Sequence, residues 1–233
     1  MSDIAEAASR YATLALTGLA DPHKAAGMQA YMKTDMPFFG VQAPARSPVV
    51  EHLVAHFRPA DRAGYEDLVS RLWALPHREE KYLAIAVAEG HEEFIQPGAL
   101  QLYRRMIVEG AWWDLVDAIA IGLVGALVLA YPLETWPEVD TWIDHDDMWL
   151  RRSALICQVG AKVSTDVDRL LDFCSRTAHE EEFFIRKAIG WALREFARTD
   201  PDTVARFAVE HRDELSGLSF REATKHIGHL VDP

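Results

Sequence analysis

Phe183-Phe184-Ile185-Arg186-Lys187-Ala188-Ile189-Gly190-Trp191-Ala192-Leu193-Arg194-Glu195-Phe196-Ala197-Arg198 is the stretch on which the reading of the whole chain turns. Ile185, Ile189, Ala192 and Phe196 recur at intervals of three and four, which places them along one side of an α-helix. Good helix formers fill the gaps between them. The same period runs through almost the entire sequence, and period-two alternation is scarce. The expected class is therefore all-α.

Local punctuation divides this pattern into helices of ordinary length. Asp21-Pro22, Ser47-Pro48 and Asp200-Pro201 each read as an N-cap followed by proline in the first turn. Ser219-Phe220-Arg221-Glu222 reads as a capping box. Leu75-Pro76, Gln96-Pro97-Gly98 and Tyr131-Pro132 mark breaks between helices. Residues 35–45 combine two prolines, a glycine and large apolar side chains, which suits an ordered loop better than a linker. No Ser/Gly-rich linker or low-complexity tract interrupts the chain, so one domain over residues 1–233 is expected. Short helices and short turns leave two architectures, a bundle or a stack of helical pairs. A pair of roughly 40 residues is a HEAT-like unit, and the chain would hold about five or six.

At 233 residues and 49% hydrophobic, the chain can bury a sizeable core. Seven tryptophans call for either a large core or an aromatic-lined site. The two cysteines, Cys157 and Cys174, lie in apolar helical stretches and read as reduced, packed thiols, which fits a cytoplasmic protein. Met1-Ser2-Asp3-Ile4-Ala5-Glu6 has acids and no basic start, so it is not read as a signal peptide. The apolar run from Ala118 to Tyr131 reads as a buried helix, and no membrane association is expected. There is no Gly-rich phosphate loop, no HExxH and no Cys/His spacing suited to zinc. His145-Asp146-Asp147 reads as a helix N-terminus, where acids are favoured. No metal and no cofactor are expected. A monomer is the default.

A formal net charge of −12 argues against a nucleic-acid partner unless cations gather locally. The helix quoted above supplies such a gathering. Lys187, Trp191, Arg194 and Arg198 lie off its core stripe, so cations surround an aromatic ring, a pattern seen where proteins track a nucleic-acid backbone. A solvated basic face would look the same. A second strip is available at Arg221 and Lys225, with His226 beside it. In Ala111-Trp112-Trp113-Asp114-Leu115-Val116-Asp117 the apolar stripe is Trp112, Val116, Ile119 and Leu123. Trp113 and Asp117 sit i and i+4 at its edge, a carboxylate beside an indole. The plain alternative is a core tryptophan and a solvated acid. In Met148-Trp149-Leu150-Arg151-Arg152 the stripe continues through Leu150, Ala154 and Cys157, and Arg152 points elsewhere.

Taken in order, these segments resemble the AlkD-type DNA alkylpurine glycosylases, a family of HEAT-like repeat proteins. The likeness starts near Tyr31-Met32-Lys33 and Pro37-Phe38-Phe39-Gly40. It runs through the Trp112–Asp117, Met148–Ala154 and Phe184–Glu195 segments to Leu218-Ser219-Phe220-Arg221-Glu222-Ala223. The resemblance implies a helical repeat solenoid with a concave, locally basic cleft for double-stranded DNA. It places the catalytic carboxylate on Asp117, the two cleft tryptophans on Trp113 and Trp191, and the cleft arginine on Arg152. Lys187, Arg194, Arg198, Tyr31 and Lys33 join Arg152 as expected DNA contacts. It implies excision of cationic alkylated purines such as 3-methyladenine and 7-methylguanine, with no cofactor and without flipping the base. The alternatives are a non-catalytic HEAT-like protein-binding scaffold and a damaged-DNA-binding relative that does not cut.

Overall fold

The computed structural model describes residues 3–231. They are all-α, a helical repeat arrangement in which no strand occurs among the described residues. The chain divides into two compact units, Met1–Leu102 and Tyr103–Pro233.

Unit 1 contains α1 (Asp3–Gly18), α2 (Pro22–Met32), α3 (Ala43–His56), α4 (Arg62–Ala74) and α5 (Arg78–Gly90), followed by two short 3-10 turns. Ala5, Ala8, Ala12 and Leu16 on α1 are fully buried at helical spacing. They face a core completed by Tyr65, Leu68 and Leu72 of α4 and by Leu83 and Val87 of α5. Asp21 caps α2 as the sequence indicates, accepting from the backbone of His23 and Lys24.

The expectation at Ser47-Pro48 is corrected. α3 begins earlier, with Gln42 at its N-cap and Pro44 in its first turn, so Pro48 lies inside the helix. The Ser47 hydroxyl turns back to the Ala43 carbonyl and caps nothing. The cause is tertiary. Glu79, fully buried on α5, accepts the backbone N–H groups of Phe39, Gly40 and Val41 at 2.8–3.0 Å. That three-point anchor orders the Pro-rich loop and delivers the chain into α3 directly after it. Gly40 is required there. Its φ is +85°, and a Cβ would come within 2.1 Å of the Asp21 carbonyl oxygen.

α6 (Leu100–Gly110) spans the division between the units. Unit 2 continues with α7 (Trp113–Ala118), a π-helical segment (Ile119–Val124), α8 (Gly125–Ala130), α9 (Pro132–Trp142) and α10 (Met148–Ile156). It ends with α11 (Val167–Arg176), α12 (Phe183–Phe196), α13 (Pro201–Glu210), α14 (Gly217–Ala223) and α15 (Gly228–Val231). α7, the π segment and α8 form one continuous helix, Trp113–Ala130, apolar and long enough to cross a membrane. Val116, Ile119, Leu123 and Leu127 are nevertheless fully buried in unit 2, as expected of a core helix. Ile185, Ile189, Ala192 and Phe196 form the buried stripe of α12. Burying each of the larger ones contributes about 1.5–3 kcal/mol relative to exposure. Cys157 and Cys174 are free and buried.

α12 and α14 pack closely because Gly190 has no side chain. A Cβ there would lie 2.5 Å from Glu222 Cβ and 3.0 Å from the Ser219 carbonyl oxygen. This contact corrects the second capping expectation. The N-cap of α14 is Ser216, whose hydroxyl accepts from the Ser219 backbone at 3.0 Å. Ser219 is buried in the first turn and donates its hydroxyl to the Arg186 carbonyl on α12. Glu222 does not close a box but reaches across to α12.

Candidate active site

The site in unit 2 starts from a sharp turn. Ala111 takes a left-handed φ of +37°, which is uncommon for a residue with a Cβ. Trp112 follows in extended conformation as the N-cap of α7, and Trp113 is the first helical residue. Trp112 therefore lies outside the helical stripe to which the sequence assigns it. Its ring instead packs against Trp149 and Phe184, with centroids 6.2 and 5.5 Å away. Its indole N–H is buried without a hydrogen-bond partner.

One turn further, Asp117 receives Arg152 of α10. Arg152 Nε donates to Oδ1 at 2.7 Å and an Nη donates to Oδ2 at 2.6 Å, a two-point fork. The other Nη donates to the Phe184 carbonyl in the first turn of α12 at 2.6 Å. One guanidinium thus ties α7, α10 and α12 together. Asp147 fixes the start of α10 by accepting from the backbone of Trp149 and Leu150. Arg152 is only 4% exposed, and its donors are engaged by Asp117 and Phe184.

Burial pushes the Asp117 carboxyl above its ordinary value. The Arg152 hydrogen bonds and charge pull it back, and nearby Asp114 adds a smaller push upward. The result is a mostly buried carboxylate whose charge is sustained by one arginine.

The cations of α12 are also paired. Glu222 accepts from Lys187 Nζ at 2.9 Å and from Arg194, bridging the two. Lys187 is held below its ordinary value by partial burial first, then by the charges of Arg194 and Arg152. The Asp117–Arg152 pair and the Lys187–Glu222–Arg194 cluster are neighbours, with Arg152 close enough to Lys187 for their like charges to repel. Trp191, half-buried, lies on α12 between Lys187 and Arg194, and Trp113 is half-buried four residues before Asp117. Arg198 differs. It lies beyond the end of α12, pairs with Glu195 at 3.3 Å and lines a separate cavity with Gln158 and Lys162. Tyr31 and Lys33 belong to unit 1. Tyr31 is 73% exposed at the end of α2, and Lys33 is its left-handed C-cap. Of the second strip, Arg221, Lys225 and His226 are exposed.

Sequence reasoning missed Glu222 as a partner of the basic face and Phe184 as the backbone anchor of Arg152. Both lie in quoted segments, but neither spacing encodes a contact between helices.

Residues 12–227 match the family described as DNA alkylation repair enzyme. A solved structure described as a predicted DNA alkylation repair enzyme from Enterococcus faecalis is 32% identical to this chain, with a TM-score of 0.73. That match covers 89% of this chain and 96% of the other. A comparison with curated proteins found no match. With most of its length matched, the chain belongs to the DNA alkylation repair enzyme family, whose substrate is DNA.

Proposed function

We propose that this protein is a monofunctional DNA glycosylase that hydrolyses the N-glycosidic bond of cationic alkylated purines, 3-methyladenine and 7-methylguanine among them, in duplex DNA. The observation that carries the proposal is the Asp117 carboxylate, mostly buried and held by the Arg152 fork at 2.6 and 2.7 Å. An N3- or N7-alkylated purine already bears positive charge, so it leaves readily. As the C1′–N bond breaks, its electron pair goes to the base, which departs neutral. Positive charge then develops on the deoxyribose. Asp117 stabilises that charge and directs a water to C1′, taking up the proton the water releases. The products are the free base and an abasic site.

The indole faces of Trp113 and Trp191 add attraction for the cationic base and sugar, about 1 kcal/mol for each contact. Arg152 acts as a positioning residue, keeping the carboxylate charged and aimed. Because the lesion supplies its own charge, selection rests on bond lability and no pocket for a neutral base is needed.

The test is a duplex with a single 7-methylguanine, incubated with the protein and then treated with alkali. Strand cleavage should appear with the natural chain and fall about 10²–10³-fold in Asp117→Asn, with DNA binding retained. Equal cleavage by Asp117→Asn removes Asp117 from the chemistry. Binding without cleavage by the natural chain supports a damage-recognition protein instead.

A further inference from the structure

We infer that Lys187 and Arg194 form a site for a DNA backbone phosphate, and that the carboxylate of Glu222 fills this site until DNA displaces it. The inference rests on the proposed DNA-cutting role and adds a ligand site with a built-in competitor. Lys187 and Arg194 stand seven residues apart on α12, so they point the same way two turns apart. Glu222 spans both, one carboxylate oxygen to each. A phosphodiester carries the same charge and offers two unesterified oxygens to the same two donors.

The surroundings favour the larger anion. Lys187 is loaded with repulsion from Arg194 and Arg152, so the patch holds three cations against the two carboxylates of Asp117 and Glu222. Glu222 is also accessible enough to be displaced, with its side chain 21% exposed and that of Lys187 37% exposed. Its Cβ is fixed against Gly190 while its carboxylate lies outside that contact. The head group can therefore swing away without separating α12 from α14. The competitor also accounts for how an acidic chain can carry a DNA face that is nearly neutral when empty.

The experiment measures affinity for a short undamaged duplex at low and moderate salt, alongside thermal melting. Glu222→Gln should bind about tenfold tighter than the natural chain, because an anion that DNA must displace is gone. Adding Lys187→Met to Glu222→Gln should cancel most of the gain. Equal or weaker binding by a folded Glu222→Gln overturns the inference and leaves Glu222 as a staple between α12 and α14. If Glu222→Gln does not fold, Glu222→Asp serves, since its shorter side chain cannot reach both cations. A gain of about threefold is then expected, and no gain overturns the inference. Absence of duplex binding in the natural chain and in both variants is a different result: it defeats the DNA-cutting role and this site with it.

Discussion

Arg152 and Asp117, 35 positions apart in the chain, meet edge to edge, with both carboxylate oxygens receiving a guanidinium N–H. Lysine cannot reproduce two parallel hydrogen bonds from one planar group. Arg152→Lys should therefore lower excision at least tenfold while leaving the charge count unchanged. Arg152→Ala should cost about 3 kcal/mol of folding stability, because it strands a mostly buried carboxylate. Urea unfolding checks the second effect, and single-turnover excision checks the first. Full activity in Arg152→Lys would show that the fork's geometry is dispensable.

In the proposed reaction the titration of Asp117 sets the acid limb of activity. Burial raises its pKa above the ordinary carboxylate value, and the proposed reaction uses the charged form. Excision should hold at neutral pH and fall as pH drops through that raised pKa. Replacing Arg152 with methionine removes the group that pulls the pKa down, so the acid limb should move to higher pH. A pH–rate profile of both proteins decides this. An unmoved limb would mean that another group titrates.

Glu79 offers a stability test in unit 1. Its carboxylate accepts three backbone N–H groups from the loop before α3. Glu79→Ala leaves those donors without their acceptor and should cost about 3 kcal/mol or more, at roughly 1–3 kcal/mol for each buried orphan. Glu79→Gln keeps one carbonyl oxygen and should cost less. Chemical denaturation ranks the three proteins, and equal stability of all three would refute the anchoring role.

His91, directly after α5, is fully buried, and neither ring nitrogen has a hydrogen-bond partner. Burial holds its folded-state pKa below the ordinary value of about 6.5. The unfolded chain therefore binds the proton more readily than the folded one. The stability due to neutral His91 is complete above pH about 6.5 and is lost as pH falls from there through the depressed folded value. His91→Leu should show a smaller drop in melting temperature between neutral and mildly acidic pH. Identical slopes for the two proteins would place the acid sensitivity elsewhere.

How far the sequence could be read depended on the range of each interaction. Asp21, Asp147 and Asp200 cap helices because an aspartate reaches amides two or three residues on, and such contacts are written in local spacing. The buried stripe of α12 was legible for the same reason. Ser47-Pro48 and Ser219 looked like helix starts and were not. Glu79 fixes where α3 begins from about forty residues away, and contact with α12 draws Ser219 into the body of α14. In the site, the resemblance pointed to Asp117 and Arg152, but their mutual fork is a contact between helices that no spacing within either segment contains. Lys187, Trp191 and Arg194 were legible as neighbours on α12, but Arg198 falls past the helix end, and the counter-ion Glu222 comes from α14.

The π-helical segment that follows Asp117 sets the angular phase of the whole Trp113–Ala130 helix. That helix meets the α10 region at two points: Asp117 against Arg152, and Gly125 so near Cys157 that a Cβ would lie 2.6 Å from its carbonyl oxygen. Eight residues of pure α-helix would rotate those two positions about 80° apart. A π turn absorbs one residue, so the interval counts as seven and the two bearings agree to about 20°. Converting Ile119–Val124 to regular α-helix without removing a residue would therefore turn Asp117 about 80° away from Gly125. The helix could then keep its seat at Gly125 or its carboxylate's aim at Arg152, but not both.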